Sequence, residues 1–383
     1  MKLLLSCLIL LLSFSTAKSQ WAMMKSDADS LIRLGTQNIY NVQFTQASNN
    51  FKKVIEMYPE HPAGYFLDAM IDWWKMTLET NNKNVYDNSF LKKVEKVIEV
   101  CDKILDKNEF DITGLFFKGG ALGYRGRYYA SREKWIPAAN DGRAALDILI
   151  KTQKLAPNNH DILLGTGIYN YFAAALPEKE PVLKTVLYFL PSGDKVIGIK
   201  QLISASQNSR YAQTEAKVVL LQVYYQFEKN PQEALKVATE LNTKYPNNPY
   251  FHRYLGRINV QMGYMQQAEE IWKDVLEKFK AKKYAYDTYT AREALYYVGL
   301  SLLWNGSYEE SLQYYYKCDE ASRKLDQDPS GFMVKTNLKI GNLCDILGKR
   351  DEAIKQYNKV LSWSSVQNSH EDARKYILTP YKK

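Results

Sequence analysis

Over residues 251 to 279, FHRYLGRINVQMGYMQQAEEIWKDVLEKF, apolar and polar positions follow one another at the three- and four-residue spacing of helices that bury one face. Good helix formers dominate, yet Gly256 and Gly263 interrupt them, and a glycine in a helix interior costs roughly 1 kcal/mol relative to alanine. Two helices joined at Gly263 and packed side by side satisfy the pattern. Gly256 and Ala268 are then small where the two backbones approach each other. The spacing predicts a helical hairpin.

The hairpin recurs. Counted from Pro249, Leu255-Gly256, Ala268, Trp272 and Val275 fall at positions 7–8, 20, 24 and 27. Counting from Ala28 places Leu34-Gly35, Ala47, Phe51 and Pro59 at 7–8, 20, 24 and 32, and counting from Glu215 places Tyr225, Ala234, Leu241 and Pro246 at 11, 20, 27 and 32. Arg292 opens a fourth register with Gly299, Gly306, Ser311 and Tyr315, and Val334 a fifth with Gly341, Gly348, Ala353 and Tyr357. Glycines seven apart also occur at 119 and 126. These residues resemble the tetratricopeptide repeat (TPR), a 34-residue helix-turn-helix with a small residue at position 8, alanine at 20, an aromatic at 24 and often proline at 32. The resemblance covers most of the chain. It implies an all-α, TPR-like superhelical solenoid of helix-turn-helix pairs, built one neighbour interface at a time.

Along the chain this reading gives a leader at 1–19, an N-terminal repeat at 20–61, a divergent helical region at 62–214 and a C-terminal array at 215–383. Residues 62 to 111 read as two longer helices around the polar spacer NNKNVYDN, with Trp73-Trp74 in the core. The next unit begins near Ile112. Its first helix is expected to end near Gly126, and Pro137 suggests a kink or break near the middle of its second.

Between Gly165 and Gly198 the usual tight turn is replaced by about 20 residues containing three prolines, an insertion spanning 176–191. The stretch Gly-x-Gly-x-Tyr-x-Tyr-Phe, Leu-Pro, Gly-Asp, Gly-Ile resembles a segment of a bacterial exported TPR family and, more distantly, the tetratricopeptide-repeat-39 and inclusion-body-clearance proteins of eukaryotes. That resemblance spans residues 112–206 and implies an adaptor. Within the insertion, the apolar VLKTVLYFL has three open readings: a core-covering turn, a plug for the concave groove, or a membrane anchor through Leu183, Val186, Leu187 and Phe189. Asp194 is expected to cap the helix that follows it.

The first residues, MKLLLSCLILLLSFSTAKSQ, carry one early lysine, an apolar run from Leu3 to Phe14 and Ala17-x-Ser19 before Gln20. The run is too short to span a bilayer, and the pattern is that of a secretory signal. Leu4-Leu5-Ser6-Cys7 looks locally like a lipoprotein box, but only six residues precede the cysteine. Export places the protein in a periplasm, on an outer membrane or outside the cell. The formal charge of +9 loses Lys2 and Lys18 with the leader and becomes +7, which fits either a solvated repeat surface or acidic partners and anionic surfaces, without a basic block for nucleic acid. Three cysteines then remain, Cys101, Cys318 and Cys344. An odd number gives no complete disulfide framework, although Cys318 and Cys344 occupy core positions of neighbouring repeats and a bond between them stays open.

The sequence holds no recognisable chemistry. His61, His160, His252 and His370 are scattered, with no metal spacing, and nucleophile-elbow, phosphate-loop and dinucleotide fingerprints are missing, so neither a metal, a cofactor nor a catalytic residue is expected. GGALGYRG is glycine-rich, but its glycines sit on repeat positions and read as packing. Binding is better supported. In TPR domains that grip a terminal carboxylate, basic residues stand at position 5 of one repeat and at 2 and 6 of the repeat two further on, and here those positions hold Arg253, Lys335 and Lys339. The expected asparagines are replaced by Arg257 and Tyr297. Independently of the family, Arg253 with Arg257 and Lys335 with Lys339 are like charges four apart on a helix, which gain from an anionic guest. Tyr250, Tyr296 and Asn342 complete the expected groove. The chain therefore reads as a non-catalytic exported adaptor for a protein or peptide, with a membrane-associated or lipid-handling role of the insertion as the alternative.

Overall fold

The structure, a computed structural model, describes residues 26–79, 84–179, 184 and 191–383. The leader and the insertion residues Leu183, Val186, Leu187 and Phe189 lie outside them. Among the described residues there are helices and no strands. They run α1 (Ser26–Tyr40), α2 (Phe44–Met57), α3 (Pro62–Leu78), α4 (Asp87–Leu105), α5 (Ile112–Ser131), α6 (Trp135–Leu155), α7 (Ile162–Lys179), α8 (Lys195–Asn208) and α9 (Gln213–Gln222). After a π-helical turn at Val223–Phe227 come α10 (Pro231–Lys244), α11 (Pro249–Gln261), α12 (Met265–Lys280), α13 (Thr288–Asn305), α14 (Tyr308–Leu325), α15 (Gly331–Ile346), α16 (Arg350–Leu361) and α17 (Ser369–Leu378). The fold is an all-α helical-repeat solenoid.

One packing device repeats. Gly256 of α11 lies under the fully buried Trp272 of α12, and a Cβ there would come to 2.5 Å of the indole. Gly341 meets Tyr357 at the same distance, Gly299 meets Tyr315 at 3.2 Å, and Gly35 lies against Phe51. The glycine thus trades helix propensity for a buried ring. Gly263 has φ +76°, the left-handed conformation that ends a helix, and so closes the first helix of the pair without strain. Asp111, Asp194, Asn230 and Ser330 accept backbone N–H bonds at the starts of their helices.

Two expectations need correction. The helix α5 does not end near Gly126 but continues to Ser131. Gly126 serves close packing instead, since a Cβ there would reach 3.2 Å from the Ala138 carbonyl oxygen. Pro137 does not kink a helix, because α6 begins at Trp135 and the proline occupies its first turn. The first amides of a helix have no intrahelical acceptor, so a missing N–H costs nothing there.

The helices form two compact units, one up to Val223 and one from Tyr224. In the first, the ends meet. Arg210 donates to Asp29 Oδ2 at 2.8 Å, the Tyr211 hydroxyl donates to Asp29 Oδ1, and Tyr40 donates to Glu215 Oε2 at 3.2 Å. Asp161 braces the same loop by accepting the backbone amides of Arg210, Tyr211 and Ala212 at 3.2, 2.8 and 2.8 Å. In the second unit each helix packs on its neighbours in order, through one buried cluster around Trp272, Val275 and Val298 and another around Tyr315, Leu343 and Tyr357. Cys101, Cys318 and Cys344 are buried free thiols, and Cys318 Sγ faces the Thr336 hydroxyl at 3.4 Å. Among the described residues no helix is long and apolar enough to cross a membrane.

Candidate functional site

In the second unit the first helices of three successive pairs, α11, α13 and α15, carry the predicted groove residues. On α15, Phe332, Lys335 and Lys339 share one face at the i, i+3, i+7 spacing. Tyr296 of α13 reaches that face, its ring centroid 5.8 Å from Phe332 in an edge contact. Tyr296 also packs on Tyr297 and Tyr315, and burial pushes its phenol up. Tyr250 on α11 is half-buried against Tyr254, with centroids 4.8 Å apart.

The four predicted cations fall into two kinds. Arg253 and Arg257 both reach Glu293 of α13, Arg253 Nε at 2.7 Å and Arg257 Nη2 at 2.8 Å from Oε2, while Arg257 Nε bonds Oε1. Glu293 is only 3% exposed. Burial alone would push its carboxyl up, but the two guanidinium groups hold it below the usual range. These arginines are partly neutralised before any guest arrives. Lys335 and Lys339 are both half-buried and, among the described residues, no hydrogen bond or ion pair reaches either. Burial lowers the pKa of the Lys339 amine, with Asp372 opposing. Asn342 is turned into the core, where its Oδ1 accepts from the Tyr357 hydroxyl at 3.2 Å. The structure therefore joins Tyr296 to the Phe332–Lys335–Lys339 face and Arg253 to Arg257 through Glu293, and it commits Asn342 to the interior.

The first unit holds a feature the sequence reading missed. A cavity of about 290 Å³ lies among α1, α3, α5, α6, α7 and α9, with walls that are almost entirely apolar, such as Phe66, Met70, Leu149 and Phe172. One wall is a face of α5 on which Phe116, Gly120, Gly123 and Arg127 follow at spacings of four, three and four. Arg127 projects there with its guanidinium carbon 4.8 Å from the Trp73 ring and 5.3 Å from the Tyr124 ring. Its Nη1 stands 3.6 Å from Glu215 Oε1, too far for a hydrogen bond, and neither atom has a hydrogen-bond partner among the described residues. Burial, and then the Glu215 carboxylate, push the Tyr124 phenol well above its usual range. The glycines of GGALGYRG divide between two jobs. Gly119 and Gly126 pack on α6, whereas a Cβ on Gly123 would meet only the Ala145 methyl at 3.9 Å. Small residues at helical spacing on one face of α5 were the available signal.

Among the described residues no group of three His, Cys, Asp or Glu side chains could hold a metal ion. A tetratricopeptide repeat family model matches residues 334–366, starting at the first residue of the fifth register. No curated protein matches the sequence. Among solved structures, Pseudomonas aeruginosa PilF is similar over 68% of this chain and 99% of its own, at 16% identity and a TM-score of 0.44. Yeast Tom70 is similar over 93% of this chain and 89% of its own (12%, 0.39), and the human IFIT1 dimer with m7Gppp-AAAA over 90% and 73% (12%, 0.39). The matched repeat and the all-helical fold around it identify a TPR-type repeat protein.

Proposed function

We propose that this chain is a non-catalytic, exported scaffold that binds an acidic protein or peptide segment on the face formed by α11, α13 and α15. The repeat fold is that of a protein-interaction scaffold. The observation that carries the finer reading is the Lys335–Lys339 pair: two cations one turn apart, half-buried, with no hydrogen bond or close ion pair to either among the described residues and only the Asp372 carboxylate acting on Lys339 through space, beside the Tyr296–Phe332 aromatic contact. Two like charges so placed repel each other, and an anionic side chain or terminal carboxylate relieves that cost while forming charge-assisted bonds. Arg253 and Arg257, tied to Glu293, supply a rim with a net charge of one rather than a second clamp. The leader-like residues 1–19 support export, and the absence of a basic block leaves nucleic acid outside the proposal.

The test is fluorescence anisotropy of the purified chain with a library of acidic peptides, each compared with its amide-substituted counterpart. The acidic forms are expected to bind in a salt-dependent way, and Lys335→Glu with Lys339→Glu to weaken them at least tenfold. Equal binding of acidic and neutral peptides, or an unaffected double variant, would refute the proposal.

A further inference from the structure

We propose that the cavity of the first unit is a binding site for a small neutral amphiphile, an apolar body ending in an amide or a hydroxyl, held at its polar end by Arg127 and Glu215. Size sets the body. A cavity of about 290 Å³ is roughly twice the ~150 Å³ pocket that accepts a benzene ring, which suits a ligand of about a dozen heavy atoms. Composition sets its chemistry, because walls such as Phe66, Met70, Leu149 and Phe172 offer no hydrogen bonds along most of their length.

The polar end follows from what is left unpaired. Glu215 is 5% exposed and lines the cavity. Its Oε2 is taken by Tyr40, and its Oε1 has no hydrogen-bond partner. Arg127 Nη1, 3.6 Å away, forms an ion pair with it beside the Tyr124 phenol but stands too far for a hydrogen bond, so both atoms keep an unused hydrogen-bonding capacity. A buried donor and a buried acceptor without hydrogen bonds are both costly, so a group that accepts from one and donates to the other gains at both ends. An amide or a hydroxyl does this: its oxygen accepts from Arg127 and its N–H or O–H donates to Glu215. A carboxylate head would gain the arginine but meet the glutamate, bringing a net negative charge to the apolar wall of the cavity. Neutral heads are therefore selected over acidic ones.

The site also provides a cavity-filling variant that should fold. Gly142 of α6 borders the cavity, and a Cβ built on it meets nothing within 4 Å, so leucine there occupies ligand space without displacing backbone and gains helix propensity. The experiment is isothermal titration calorimetry of the full chain with decanamide and with decanoate, below the concentrations at which either aggregates. Decanamide is expected to bind at least tenfold more tightly than decanoate. Gly142→Leu should weaken decanamide at least tenfold while keeping the wild-type circular dichroism and a melting temperature no lower than the wild type's. Glu215→Gln should shrink the amide-over-carboxylate preference at least tenfold, because it removes the charge that repels decanoate. The inference is overturned if neither probe binds the wild type, if Gly142→Leu binds decanamide as the wild type does, or if the preference survives Glu215→Gln.

Discussion

The two units are made from the same helix pair, yet they end differently. In the first, α1 meets the segment around Arg210 and Glu215 across 175 to 182 residues of sequence, and the ring so closed surrounds an apolar cavity. In the second, the principal bonds run between neighbouring pairs, such as Arg253 to Glu293, 40 residues apart, and the faces of successive first helices stay side by side. A repeat array is stabilised by nearest-neighbour interfaces and unfolds in pieces, whereas closing its ends couples every piece. The closed unit lines a concave apolar volume and the open array displays a surface, which is the basis for proposing a small ligand for one unit and a protein segment for the other.

The largest test of this contrast removes a neighbour interface in the open unit. Trp272 fills the space over Gly256 and stacks on Tyr297 at 5.0 Å between centroids. Trp272→Ala should cost about 4 kcal/mol. The damage should stay local: amide hydrogen exchange should rise across α11, α12 and α13 while α16 and α17 keep their protection. A uniform loss over the whole second unit would show that it is as cooperative as a closed ring.

A smaller effect is expected from opening the ring. Asp29 accepts from both Arg210 and Tyr211, and although burial pushes its carboxyl up, these hydrogen bonds hold it below the usual range. Asp29→Ala should cost about 2–3 kcal/mol, discounted because Arg210 is one third exposed. Its signature is reach. Protection should fall both in α1 and in residues 209–222, and decanamide binding should weaken with it. Loss confined to α1 would mean that the closure is not energetically coupled.

The difference between the units also explains what the sequence disclosed. The open unit was legible because its determinants are local: Gly256 and Trp272 are 16 residues apart on a fixed template, as are Gly299 with Tyr315 and Gly341 with Tyr357. The four-residue spacing of Lys335 with Lys339 and of Arg253 with Arg257 could be read from the sequence, but not that Glu293, on a different helix, is the acidic partner of the arginines. The burial of Asn342 escaped for the same reason, its partner Tyr357 being on the next helix. The closed unit was least legible. Tyr40, Arg127 and Glu215 meet only after the ring closes, and no short-range pattern encodes a meeting across 175 residues. Pro137 reads as a mid-helix residue when the preceding helix is ended near Gly126; because α5 runs on to Ser131, the proline falls in the first turn of α6 instead.

The smallest test uses pH. His252 in the open unit is 3% exposed, its Nδ1 within 3.1 Å of the Tyr286 hydroxyl and its Nε2 3.5 Å from Asp274. Burial, helped by Lys278 and opposed by Asp274, lowers its pKa to about 4 in the folded state, against about 6.5 when unfolded. Between those values the unfolded chain binds the extra proton, so stability is intact above pH 6.5 and declines as pH falls toward 4. The closed unit behaves otherwise. The depressed pKa of Asp29 withdraws its contribution only below the ordinary carboxylate range, and burial raises that of Asp161, so its protonation does not weaken the folded state. Acidification from pH 7 to 5 should therefore lower the stability of the second unit by about 2 kcal/mol relative to the first. His252→Gln should flatten the difference. Amide exchange at the two pH values, corrected for intrinsic rates, measures it, and parallel loss in both units would place the acid sensitivity elsewhere than His252.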